Sequence, residues 1–408
     1  METIRQILLG ITIFAGAAGL FLVIVTRVAF GKRSRLAQLK KSELPAISVL
    51  KPLCGEDPEL EKNLEAFFTQ HYPRFELVFA CEDMNDPALT VVRQLINKHP
   101  RVSLKIKAEP TLHGFNPKVS NLIRAFTLAE NEMILTSDSD IRPEQDYLKR
   151  ISTEFREKNC TLLVNPVYGR GNIALGSILE DLHLNSLILS GLAFLTIYTR
   201  KQAGFGKSMF FRKKDLEAVG GFEALKDYFA EDYVLSQKLA KLPGGCEVSE
   251  TILPCVTSNR TLQQFVNRHG RWAQARKRIA GWSYPSEILA NPIFWSIVYL
   301  IVDSFSRAGW QVFVGATVFK TGLDAFQGLT SGKNRRLLTY LLVPLKDLLI
   351  GLIWFYPLLT DTVYWRDKRL KVAKGTRLMA ADRRKVLGIS VPRLSWKWKK
   401  DQAGSSLD

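Results

Sequence analysis

Apolar residues in this chain fall into three patterns, each with its own spacing. Residues 7–30 form an almost uncharged apolar run, broken only by Thr12, Thr26 and Arg27. About 20 helical residues span a bilayer. The run is longer than the apolar core of a typical signal peptide, and no clear cleavage site follows it. It therefore reads as an uncleaved transmembrane anchor. From Ala46 to about Val256, short apolar runs alternate with amphipathic stretches, the pattern of a βα domain. The third pattern comprises strongly apolar stretches at 292–305, 310–319 and 337–359, interrupted by Asp303, Arg307 and the Lys346-Asp347 pair. Two or three membrane elements, some re-entrant, fit that region.

Within the middle region, residues 47–50 read as a first strand. Asp57-Pro58 supplies an N-cap and a proline at the first helical position, and Leu60, Leu64, Phe67 and Phe68 share one face of the helix that follows. Residues 75–80 are a second strand. Asp86-Pro87 caps the next helix, with Leu89, Val92, Leu95 and Ile96 turned inward. A third strand at 102–106 and a helix over about 117–129 lead to a strand at 133–136. Further strands are expected at 161–164 and 208–211, and another at 252–256. Strands alternating with helices imply an α/β fold with a mostly parallel sheet, and ligands bind beyond the carboxyl ends of such strands. Residues 182–198 are apolar but interrupted by His183, Asn185 and Ser186. They read as a buried or interfacial helix near an acceptor entrance. The expected organisation is an anchor (1–31), a catalytic domain (45–285), membrane helices (289–360) and a basic cytoplasmic tail (361–408).

Charge sharpens this picture. The net charge of +18 suits nucleic acid or an anionic membrane face. Its placement favours the membrane, since Lys32, Arg33, Arg35, Lys40 and Lys41 follow directly on the first apolar run. A second group, including Arg366, Lys368, Arg369, Arg383, Arg384 and Lys385, lies in the last 48 residues. No zinc spacing, RNP-like motif or basic-aromatic alternation supports nucleic-acid binding. The first basic cluster predicts a cytoplasmic domain and an outside N-terminus. The Lys333, Arg335 and Arg336 cluster also asks to be inside, which leaves the span count open. Five scattered cysteines with no C-x-x-C fit reduced thiols in a cytosol-facing domain.

The candidate chemistry is a series of acids and arginines in fixed order. Asp138 and Asp140 stand two apart just past the strand at 133–136, so both carboxylates can face one cation. Mg²⁺ or Mn²⁺ there could bridge a diphosphate and stabilise a departing nucleotide; the plainer reading is an Asp/Ser turn. Asp83 and Asp86, just after the second strand, can accept from a uracil N–H or ribose hydroxyls, although Asp86 also suits a helix cap. Lys118 opens a helix after Gly114-Phe115-Asn116-Pro117 and can meet phosphate there. Asp232, in Glu231-Asp232, can take the proton from an acceptor hydroxyl. An acidic pair at a helix start can also simply complement the dipole. Arg268, Arg271 and Trp272 occupy i, i+3 and i+4, one helix face offering phosphate contacts and a stacking ring. The alternative is an interfacial belt beside the membrane. His269 falls off that face and is assigned no role.

These residues resemble a known family. Leu50-Lys51-Pro52-Leu53, Glu82 through Pro87, Asn116 through Leu122, Ser137 through Arg142, Glu231-Asp232-Tyr233 and Arg268-x-x-Arg271-Trp272 are together similar to ceramide glucosyltransferase. The likeness spans about residues 45–285 plus the apolar ends. It implies an inverting GT-A glycosyltransferase with a UDP-glucose donor, a divalent metal and a lipid acceptor at the cytosolic leaflet. By position it implies Asp83 or Asp86 at the nucleotide, Asp138 and Asp140 at the metal and Asp232 as base. The chain reads like a bacterial member. A close bacterial branch is associated with hopanoids and transfers an N-acetylhexosamine to bacteriohopanetetrol, and the motifs choose neither acceptor nor sugar. A processive polysaccharide synthase is the rival enzyme, though it usually needs more spans. A catalytically dead scaffold or lipid-binding protein is the non-enzymatic rival.

Overall fold

Four strands side by side, with alternate residues packed into two separate cores, organise the middle of the chain. The structure is a computed structural model that describes residues 1–31, 43–57, 59–171, 174–199, 206–256, 259–330, 336–365 and 368–381. Strands β1 (Ile47–Pro52), β2 (Phe75–Cys81), β3 (Ser103–Ala108), β4 (Met133–Ser137) and β5 (Leu162–Val164) match the expected runs. A short β6 (Val167–Gly169) precedes β7 (Ser208–Arg212), β8 (Cys246–Val248) and β9 (Leu253–Cys255). The central sheet has the order β3-β2-β1-β4-β7-β5-β8, and only β7 runs against its neighbours. Val49, Leu77, Phe79 and Leu135 face one core, while Leu50, Val78, Ala80 and Ile134 face the other. Period-two side chains on a sheet covered on both faces give this division.

The helices follow the polar punctuation. Asp86 caps Pro87–Lys98 by accepting from Ala88 N (2.9 Å), and Asn116 caps Pro117–Phe126 by accepting from Lys118 N and Val119 N. Thr261 and Gln264 form a reciprocal capping box that starts Leu262–Ala280, the helix of the Arg268-x-x-Arg271-Trp272 motif. One cap differs from expectation. The helix Leu60–Phe68 is preceded by Glu59 rather than Asp57, while Pro58 lies outside the described residues. The strand expected at 252–256 is β9, which pairs with β6 outside the central sheet.

Three helices are long and apolar enough to cross a membrane: Glu2–Phe30, Leu175–Tyr198 and Leu337–Leu359. The second was expected only over 182–198. It begins a full two turns earlier and carries π-helical turns at Leu184–Ile188 and Leu195–Thr199. Pro292–Val302 and Arg307–Thr330 complete the apolar group, and Glu2–Phe30 packs against both and against Leu189–Phe194. Part of the stretch expected as a tail is structured. Strands β10 (Thr362–Trp365), β11 (Lys368–Val372) and β12 (Leu378–Ala380) form an antiparallel sheet beside Phe229. The basic residues at 32–41, Lys333, Arg335 and those after 381 lie outside the described residues.

Phe210 of β7 is fully buried and meets Phe155 edge-on with ring centres 5.2 Å apart. Phe210→Ala is expected to cost about 3–5 kcal/mol through the cavity it leaves. A denaturation series in constant detergent measures this, and a cost under about 1 kcal/mol contradicts the tight packing described.

Candidate active site

A carboxylate taken out of water needs a cation or several donors beside it, and the carboxyl ends of β1 and β4 show how this chain supplies them. Asp138 and Asp140 follow directly on β4. Lys207, just before β7, donates to Asp140 Oδ2, and its Nζ lies 3.9 Å from Asp138 Oδ2. Its backbone carbonyl accepts from Asp138 N at 3.0 Å. Burial alone raises the Asp140 carboxyl, but Lys207 and then Arg268 hold it well below the usual carboxylate range. Lys51 rises from β1 beneath the acidic turn, fully buried over the Phe67 ring, and donates to Asp138 O (2.7 Å) and Ser137 Oγ (3.1 Å). Burial lowers its ammonium to about 7 against the pull of Asp138 and Asp140.

Lys118 links this turn to the second acidic pair. Its Nζ lies 2.8 Å from Asp138 Oδ1 and 3.1 Å from Glu231 Oε1, and donates to Gly206 O at 3.0 Å. Three donors on one ammonium are thereby occupied by protein groups. In this geometry Lys118 tethers two acidic segments. Burial works against the Lys118 charge, yet Asp138, Glu231 and Asp232 raise it well above normal.

Asp232 opens the helix Glu231–Leu239. Its Oδ2 accepts from Gly206 N at 2.7 Å and its Oδ1 from Tyr233 N at 2.8 Å. A side chain on residue 206 would meet Asp232 Oδ2 at 2.6 Å, so only glycine lets the backbone approach this closely. Burial first, then the neighbouring Glu231, raises Asp232 to about 6, with Lys118 pulling the other way. An acid poised there can lose and take a proton near neutral pH. The Gly206-Lys207 pair therefore touches Asp232, Asp138 and Asp140 at once.

The helix Leu262–Ala280 brings the arginines. Arg268 pairs with the wholly buried Glu180 (Nε–Oε1 3.1 Å) and stands 3.8 Å from Asp140 Oδ2. Arg260 reaches the same Glu180 at 3.3 Å. Arg271 makes no hydrogen bond or ion pair among the described residues. Burial, then repulsion from Arg268 and Arg260, lowers its guanidinium to about 10. A cationic group held in that state gains from an arriving anion. Arg268 lies over the Trp272 ring at 4.8 Å, and the indole packs on the core and against His269. It braces the arginine in this geometry. His269 is fully buried, and neither ring nitrogen makes a hydrogen bond among the described residues.

Asp83 and Asp86 part company. Asp83 is exposed at the end of β2, with Oδ1 accepting from Asn85 N. Asp86 caps its helix and accepts twice from Gly55 N, at 2.9 and 3.0 Å. Four participants escaped sequence reading: Lys51, Glu180, Lys207 and Arg260. Lys51 and Glu180 carried a signal, each being a charge inside an otherwise apolar segment.

The donor set also tests a metal. Asp140 Oδ1 is buried without a hydrogen bond among the described residues. Together with Asp138 it offers oxygen ligands to a hard divalent cation. No group of three or more potential ligands gathers among the described residues. Mg²⁺ commonly takes one or two carboxylates and completes its shell with phosphate and water. The residues fit a cation that arrives with a diphosphate.

Comparison with known proteins places this geometry. The sequence profile of glycosyl transferase family 21 matches residues 11–378. Ceramide glucosyltransferase 1 of Caenorhabditis elegans is 30% identical over 356 residues, covering 82% of this chain and 73% of the relative. Ceramide glucosyltransferase 3 of the same organism is 25% identical over 377 residues, covering 88% and 80%. Among solved structures, a mannosyltransferase from Pyrobaculum calidifontis in complex with GDP-Man and Mn²⁺ has a TM-score of 0.48 at 17% identity, covering 85% of this chain and 99% of that one. The α/β fold with its mostly parallel sheet, and the family profile running from the first helix to β12, agree that the chain belongs to glycosyl transferase family 21.

Proposed function

We propose that this glycosyltransferase moves a hexose, glucose in the leading reading, from a UDP-sugar to the hydroxyl of a membrane lipid of the ceramide type, with inversion. The observation that carries the reading is the single ionic web joining Asp138, Asp140 and Asp232 through Gly206, Lys207 and Lys118. It holds a proton-accepting acid beside an anion-handling centre. The curated relatives named above are ceramide glucosyltransferases, which supports a lipid acceptor. Three apolar helices of spanning length support a membrane setting. We further assign residues 1–31 as the anchor, 45–285 as the catalytic domain and 289–360 as membrane elements, with catalysis on the cytosolic side.

In the mechanism, Asp232 accepts the proton of the acceptor hydroxyl as that oxygen bonds to the anomeric carbon. The bond from that carbon to the diphosphate breaks in the same displacement, and UDP leaves from the opposite face. An α-linked donor thus gives a β-glycoside. Arg271, without a partner among the described residues and crowded by like charge, meets the negative charge that develops on the diphosphate. Arg268, fixed by Glu180 and Trp272, adds a second cation. A divalent ion held by Asp138 and Asp140 supplies Lewis-acid stabilisation of the leaving group when bound. Asp83 stands where a nucleotide hydroxyl or N–H can meet it.

The direct test offers purified protein UDP-glucose and UDP-N-acetylglucosamine with ceramide and bacteriohopanetetrol, and weighs the product by mass spectrometry. A ceramide hexoside is expected; an oligosaccharide, or no lipid product from either donor, overturns the reading. Asp232→Asn is expected to lower kcat at least ~100-fold while the KM for the UDP-sugar moves little. Wild-type kcat/KM should rise with pH through about 6 and then level off, because only the deprotonated acid accepts a proton. Near-normal turnover in the variant removes Asp232 from the role.

The same group gives a stability test. Folding raises Asp232 from its ordinary 3.8 to about 6, so the folded state keeps a proton that the unfolded chain releases. Stability from this group is present below pH 3.8 and is lost as pH rises through about 6. Asp232→Asn should therefore melt above wild type at pH 8, with the gap closing towards pH 4. A gap that is constant with pH contradicts a buried, charge-strained carboxylate.

A further inference from the structure

Charged residues inside an apolar bundle are costly and rarely idle, and this chain gathers four of them, three buried and Lys320 partly so. Lys320 and Asp324 lie one turn apart on Arg307–Thr330; Lys346 and Asp347 are adjacent on Val343–Trp354. Lys346 Nζ stands 2.9 Å from Asp324 Oδ2 and 2.7 Å from Asp347 Oδ1, and donates to Ser186 Oγ at 3.2 Å. Lys320 pairs with Asp324, and its Nζ lies 3.8 Å from Asp347 Oδ2. That Asp347 oxygen is buried and makes no hydrogen bond among the described residues. Replacing such a network with packed apolar side chains is often neutral or stabilising, so stability alone does not account for it.

The network borders a cavity of about 40 Å³ between the apolar helices. Roughly 10–15 Å³ holds one water-sized group, so about three or four such groups fit. Ser186, Ser190, Asn291 and Asp347 supply polar walls, and Leu22 and Ile350 apolar ones. Two helices run from this cavity to the diphosphate centre. Ser186 is six residues beyond Glu180, the partner of Arg268, which is about 9 Å along a helix. Arg276, also on the wall, is eight residues beyond Arg268, about 12 Å. The π-helical turn Leu184–Ile188 falls between Glu180 and Ser190, and such turns recur at functional sites.

We infer that this cavity receives an uncharged polar group of the lipid acceptor, set back along the molecule from the hydroxyl that reacts at Asp232. The inference rests on the lipid-acceptor reading above and adds where that lipid sits and what selects it. The four charges sum to zero, and the nearby Arg276–Glu287 pair (3.0 Å) is also balanced. Among the described residues that line the recess no cation remains to pair with a lipid phosphate, so it takes neutral groups that donate and accept hydrogen bonds, such as an amide or a hydroxyl. The bare Asp347 oxygen is an acceptor for one of their protons, and the apolar wall continues along the lipid chain.

Two variants test it in mixed micelles, with wild type and its preferred lipid setting the baseline. Gly19→Leu fills the cavity from the first helix; a carbon at Gly19 meets Leu323 at an ordinary 3.6 Å, so the backbone is not strained. Asp347→Asn keeps the size of the side chain but unbalances the charge, and decides the matter should Gly19→Leu fail to fold. Each is expected to raise the KM for the lipid about tenfold, the scale of one or two lost contacts. The KM for the UDP-sugar should stay within about twofold, a split that a general folding defect does not produce. Phosphatidylglycerol should compete poorly with the acceptor in wild type and clearly in Asp347→Asn. An unchanged lipid KM in both variants, or strong competition by phosphatidylglycerol in wild type, overturns the assignment. If wild type glycosylates no neutral lipid at all, the failure belongs to the proposed function instead.

Discussion

Everything at the candidate site depends on one contact region, the Gly206-Lys207 dipeptide against three carboxylates, of which Asp140 is buried and Asp138 and Asp232 are half-buried. Asp138, Asp140 and Asp232 come from segments some 90 residues apart and repel one another. Two ammonium groups, Lys207 and Lys118, and one backbone N–H hold them together. The consequences differ by position. Asp140 is driven low by Lys207 and Arg268, whereas burial and the adjacent Glu231 raise Asp232 to about 6. One acid stays an anion while the other can carry a proton, the division of labour that transfer to a hydroxyl requires.

The arginine side of the site obeys the same electrostatics with the sign reversed. Glu180 neutralises part of the charge of Arg260 and Arg268 but leaves Arg271 without a partner among the described residues. Excess positive charge in a part-buried place is unstable alone and favourable once a diphosphate arrives. Glu180 also ties the candidate site to the apolar helices, because it sits on the helix that continues to Ser186 and its contact with Lys346. Catalytic and apolar parts thus share a helix, and through it an ionic network at each end.

The C-terminal strands add a further link. Phe229 N donates to Thr376 O (2.8 Å) and Leu378 N to Asp227 O (2.6 Å), so the small sheet buttresses the segment leading into Glu231-Asp232. Nothing in the local pattern of 362–380 announces this. Its strands are short and the segment as a whole is rich in Lys and Arg, so it looks like a solvated tail until the surface it covers is known.

Much was legible in the text itself. Two-residue periodicity and polar caps located β1 to β4, the helices after Asp86 and Asn116, and the terminal apolar helices, because local spacing decides which face is buried. The candidate acids and the Arg268-x-x-Arg271-Trp272 face were legible for the same reason: strand and helix geometry makes near neighbours predictable. What only the tertiary structure decided is which distant charges meet. Lys207 at Asp140, Lys118 shared between Asp138 and Glu231, Arg268 at Glu180, and Lys346 at Asp324 join separate elements of the chain. A spacing rule reaches about one helical turn or one strand pair, whereas a buried charge takes whichever partner the fold delivers.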